Sequence, residues 1–61
     1  MHSYELRVIN PDNKHPTIYA CSHVSDFVAI RRAVSLADAD ELIEVWRGAV
    51  CVYSGAPTGA E

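Results

Sequence analysis

The chain has 61 residues, 49% hydrophobic, 21% charged and 8% aromatic, with five Lys and Arg against eight Asp and Glu for a net charge of −3. These values leave no room for a second domain in these residues, give an apolar fraction too high for a disordered chain, and argue against a protein held to nucleic acid mainly through phosphate contacts. A domain this small buries only about 60% of the surface its unfolded chain exposes, so disulfides, a metal or a second copy often supplement its core.

Met1-His2-Ser3-Tyr4 runs straight into patterned sequence. With no basic start followed by an apolar run, no signal peptide is expected. The longest apolar runs are a few residues, far below the roughly 20 that span a membrane. The expectation is a cytoplasmic protein with reduced thiols. Cys21 and Cys51 are too few and too far apart for a disulfide framework or a CxxC redox site.

Residues 4–8, Tyr-Glu-Leu-Arg-Val, alternate apolar and polar side chains, which predicts a half-buried strand. Residues 10–16 are dense in turn formers and form a long loop. The β-branched and aromatic run of residues 17–21 is a second strand, and the two strands make a hairpin. Ser22 or Ser25 then caps a helix over residues 25–37, with Asp26 in its first turn at the positive end of the helix dipole. At 100° per residue, Phe27, Ala29, Ile30, Ala33, Val34, Leu36 and Ala37 share one half of that helix. Arg31, Arg32 and Ser35 take the other half, with Val28 as an apolar intruder.

Asp38-Ala39-Asp40 ends the helix without glycine. Residues 41–46 form a third strand, Arg47-Gly48 a turn, and residues 49–53 a fourth strand. The expected organisation is one ββαββ domain over residues 1–54, followed by a flexible C-terminal tail over 55–61.

A two-residue turn at Arg47-Gly48 pairs Val45 with Val50 and Ile43 with Val52. It thereby places all four on one face. The rival is a three-residue loop with Gly48 left-handed, which pairs Val45 with Ala49. Leu6, Val8, Ile18 and Ala20 complete an aliphatic core under the helix. The other face is then expected to carry Glu5, Arg7, Tyr19, Cys21, Leu42, Glu44, Trp46, Cys51 and Tyr53. One helix cannot cover both faces of a sheet. Aromatic residues rimmed by charge mark partner sites, so Tyr19, Leu42, Glu44, Trp46, Cys51 and Tyr53 are the expected interaction surface. Simple strand propensity, or a tail folded over these residues, accounts for the same composition.

Chemical motifs are sparse. Cys21-Ser22-His23 has a legitimate metal-ligand spacing and Cys51 or His15 is a third candidate, but no second paired-ligand motif accompanies it. Asp38, Asp40 and Glu41 lack the twelve-residue register of a calcium loop. Cys21 or Cys51 with His23 has no orienting third group for nucleophilic catalysis. Gly48, Gly55 and Gly59 form no phosphate-cradling loop. No catalytic, cofactor or metal residue is assigned, and the chain is not expected to be an enzyme. Arg7, Arg31, Arg32 and Arg47 divide between two surfaces, a poor phosphate track.

The alanine-rich helix of residues 29–37, the acidic turn and the Glu44-Val45-Trp46-Arg47-Gly48 strand and turn resemble short uncharacterised proteins of alphaproteobacteria. The likeness spans residues 4–53 and implies no activity or catalytic residue. The ββαββ order also resembles the β-grasp fold of small immunoglobulin-binding domains. That resemblance implies strand order 2-1-4-3, with the first and last strands central and parallel; the sequential order 1-2-3-4 is the alternative. The fold class is α+β, a four-stranded sheet of two hairpins with one helix on one face. The functional expectation is a small cytoplasmic interaction protein, a homodimer or the binder of a protein partner, contacting through the helix-free sheet face. Two other readings are a nucleic-acid-associated regulator and a thiol or metal-binding protein using Cys21, His23 and Cys51. No cofactor and no membrane partner are expected.

Overall fold

The computed structural model describes residues 1–60 of the chain. Strands β1 (His2–Ile9) and β2 (Thr17–His23), helix α1 (Asp26–Leu36), strands β3 (Leu42–Arg47) and β4 (Val50–Gly55) and a closing 3-10 turn η1 (Pro57–Ala60) follow in that order. The fold is α+β: four antiparallel strands with one α-helix between β2 and β3.

Local chemistry explains the joints. The β1–β2 loop turns on Pro11-Asp12, with the Asn13 amide donating to the Asn10 carbonyl at 3.0 Å. The Asn10 side chain also accepts from the Asp12 amide at 2.8 Å, so Asn10 braces the turn twice. Ser25 caps α1, its hydroxyl accepting from the Val28 amide at 3.3 Å. The helix stops at Ala37, which has extended backbone. The Asp38–Glu41 turn then delivers the chain to β3, and Asn10 Nδ2 donates to Glu41 there at 3.3 Å.

The sheet order is β2-β1-β3-β4. This corrects the β-grasp order 2-1-4-3 and also differs from 1-2-3-4: β1 and β3 are the central pair, and they are antiparallel. The reason lies in their side chains. Both alternate buried and half-buried positions, and their register sets Arg7 opposite Glu44 while Leu6 meets Val45 and Val8 meets Ile43. One pairing thus joins opposite charges on one face and aliphatic residues on the other.

Tyr4, Leu6, Val8, Ala29, Ala33, Ile43 and Val45 are the buried core, with Leu6, Ile43 and Val45 fully buried. The two small helix residues let α1 approach the sheet closely. Phe27, expected on the buried half, is 65% exposed, and the Arg31 guanidinium lies 5.8 Å from its ring centre one turn along the helix.

The second hairpin turns on Gly48-Ala49, one residue later than expected, so Arg47 remains in β3. Gly48 has φ +60° and Ala49 does not enter positive φ, the pattern of a type II′ turn with glycine first. A β-bulge follows: Trp46 faces Cys51, but Val45 faces Tyr53, leaving Val52 unpaired between them. Residues 55–60, expected as a flexible tail, take a defined course. Pro57 is buried, η1 packs against α1, and Tyr53 Oη donates to the Ala56 carbonyl at 2.5 Å. Glu61 lies outside the described residues.

Candidate interaction surface

The strand registers assign the paired sheet side chains to a face, and Val52, left unpaired at the bulge, packs against the buried core. Under the helix run the rows Cys21–Tyr4–Arg47–Val50, Tyr19–Leu6–Val45–Tyr53 and Thr17–Val8–Ile43–Gly55. The open face carries Ala20–Glu5–Trp46–Cys51, then Ile18–Arg7–Glu44–Ser54, then Ile9–Leu42.

Leu42, Glu44, Trp46 and Cys51 therefore lie on the helix-free face as expected, whereas Tyr19 and Tyr53 do not. Residues 17–21 are apolar or small at nearly every position, so alternation does not choose their face, and pairing with β1 puts Tyr19 and Cys21 on the helix side. The bulge at Val52 does the same for Tyr53. Ile18 and Ala20, expected in the core, belong to the open face, and Ile18 is 54% exposed.

A polar network occupies the middle of that face. Arg7 Nε donates to Glu5, Arg7 Nη1 reaches Glu44 Oε1 at 3.4 Å, and Trp46 Nε1 donates to the same Glu44 oxygen at 3.0 Å. The Arg7 guanidinium carbon lies 5.1 Å from the centre of the Trp46 ring. Chiefly the Glu5 hydrogen bond, with Glu44 assisting, holds Arg7 above the usual arginine range. Around the network stand Ile18, half-exposed Leu42 and the exposed Cys51 thiol. The surface is mixed, with aliphatic residues at its margins and an arginine-stacked tryptophan at its centre.

On the helix side a second cluster fastens α1 to the central strands. Asp26 accepts from Tyr4 Oη at 2.6 Å and from Arg47 Nη1 at 2.8 and 2.7 Å. The Tyr4 hydrogen bond, aided by Arg47, holds the Asp26 carboxyl below the usual carboxylate range, against an opposing push from burial. Burial and the Asp26 carboxylate both push the Tyr4 phenol up. Sequence reasoning missed this cluster. The available signal was Arg47, which sits two residues beyond Val45 and so shares its face.

The candidate thiol and metal residues are separated. Cys21 and His23 share the helix side of β2, while Cys51 lies on β4, at the opposite edge and on the opposite face. His23 Nε2 is buried without a hydrogen-bond partner, and its ring centre lies 6.0 Å from that of Tyr4. The arginines are likewise dispersed: Arg7 and Arg47 are each engaged by carboxylates, and Arg31 and Arg32 lie exposed on α1. No helix among the described residues is long and apolar enough to cross a membrane. No family model, curated protein or solved structure matches the chain.

Proposed function

We propose that this chain is a small cytoplasmic interaction protein that self-associates through its helix-free sheet face. The observation carrying this reading is one-sided cover: α1 packs on the opposite face, while Ile18 and Leu42 stand 54% and 49% exposed around Trp46. Arg and Trp are enriched where interfaces concentrate their energy. The Glu5–Arg7–Glu44 contacts neutralise much of the charge before contact, which lowers the desolvation cost of burying the patch. Kinship with the short alphaproteobacterial proteins belongs to the same proposal. It rests on residues 29–37 and 44–48 and brings no activity.

Trp46, the single tryptophan, reports directly on this face. Its emission is expected to shift to the blue as protein concentration rises, and light scattering to exceed the 6.7 kDa chain mass. Leu42→Lys should remove the emission shift while leaving the helix signal intact. Emission independent of concentration up to about 1 mM, where a contact worth some 4 kcal/mol is half formed, would sink the reading.

A further inference from the structure

The two edges of the sheet are not alike. On β4 the bulge at Val52 breaks regular pairing, Gly55 ends the strand with φ +148°, and η1 folds back so that Tyr53 is tied to the Ala56 carbonyl. Bulges and covering segments are devices by which sheets blunt an edge. The other edge, β2, has none of them. Its seven residues, Thr-Ile-Tyr-Ala-Cys-Ser-His, include no Lys, Arg, Asp or Glu and no Pro or Gly, and its register with β1 is unbroken throughout. Residues 17–20 are all exposed. Among the described residues no loop or cap backbone hydrogen bond reaches this strand.

We infer that β2 is a second association surface and that its occupant is β2 of another copy, joining two four-stranded sheets edge to edge. The strand suits itself: an antiparallel partner centred on Ala20 pairs all seven residues, setting Ala20 against Ala20, Tyr19 against Cys21, Ile18 against Ser22 and Thr17 against His23. No like charges meet. Odd-numbered residues meet odd-numbered ones, so both helices lie on the same side of the joined sheet. The two-fold axis closes this contact at two copies. A β2–β4 pairing would instead grow without limit, and the bulge and η1 on β4 oppose it. The contact buries Ile18 on one face and Tyr19 on the other. It shares Ile18 with the face pairing proposed above but does not depend on it.

Cross-linking tests the register. In a Cys21→Ala, Cys51→Ala, Leu42→Lys background, where the lysine removes the face pairing, Ala20→Cys should oxidise to a covalent dimer, because either class of antiparallel pair holds Cα atoms at about 4.5–5.5 Å, within disulfide range. Ser54→Cys on β4, in the same background, should stay monomeric. Tyr19→Lys, on the helix side and away from Trp46, should lower the solution mass about twofold at about 100 µM, a concentration at which contacts of micromolar affinity are filled. It should leave the Trp46 emission shift unchanged. Cross-linking at Ala20 no greater than at Ser54, or a mass unaffected by Tyr19→Lys, overturns the inference. Loss of the emission shift alone bears only on the face pairing.

Discussion

Tyr4 Oη donates a 2.6 Å hydrogen bond to Asp26 Oδ1, joining central strand β1 to the first residue of α1. Arg47, from the other central strand, reaches both oxygens of the same carboxylate. Three elements distant in sequence therefore meet at one group, which also stands at the positive end of the helix dipole.

Acid should weaken the fold through this group. The Asp26 carboxyl titrates lower in the folded chain than in the unfolded one. Its stabilising contribution is therefore complete above the unfolded value of about 3.9 and is lost as pH falls through the folded value. Urea unfolding from pH 7 to pH 2 should show a stability loss that Asp26→Asn largely flattens. Tyr4→Phe should flatten it in part, since Arg47 remains. An unchanged pH slope in Asp26→Asn would mean that the carboxylate does not fasten the helix.

Core and open face should respond oppositely to truncation. Leu6 is fully buried between β2 and β3, so Leu6→Ala should cost about 3 kcal/mol. A chain of this length has only about 3–9 kcal/mol in total, and a large unfolded fraction is expected by circular dichroism. Leu42→Ala should move monomer stability by less than about 0.5 kcal/mol, since Leu42 already meets solvent.

Gly48 is a backbone requirement rather than a packing one. A Cβ there would meet nothing within 4 Å, yet φ is +60°. Gly48→Ala should cost about 1 kcal/mol in denaturant with unchanged m-value. D-alanine at position 48 in a synthetic chain should be tolerated, because its mirror-image preference matches positive φ.

The Ala56 carbonyl accepts from both Tyr53 Oη and the Gly59 amide. Tyr53→Phe should therefore loosen η1, costing about 1 kcal/mol. Amide exchange at Gly59 should accelerate while the β1 and β3 amides stay protected. Equal protection of Gly59 in both proteins would show that Pro57 packing alone holds the turn.

The sequence alone carries the ββαββ order, a serine cap at Ser22 or Ser25 and the α1 stripe of Ala29, Ala33, Ile30 and Val34; the fold selects Ser25. The sequence also carries the inward faces of β1 and β3. These follow from periodicity and capping chemistry, which act over a few residues, and Tyr4-Glu-Leu-Arg-Val alternates cleanly enough to declare its face. The strand order, the face of β2 and the course of Tyr53 rest on contacts between distant elements. Residues 17–21 are nearly uniform in polarity, so only pairing with β1 chose which side Tyr19 and Ile18 occupy. In β4 the Val50 and Val52 alternation fits a straight hairpin, whereas the bulge turns Tyr53 toward a segment whose sequence reads as a tail, where its hydroxyl bonds the Ala56 carbonyl. Arg7 opposite Glu44 and Asp26 between Tyr4 and Arg47 are pairings across more than twenty residues. No local pattern encodes them, because their energy exists only once β1 and β3 lie side by side.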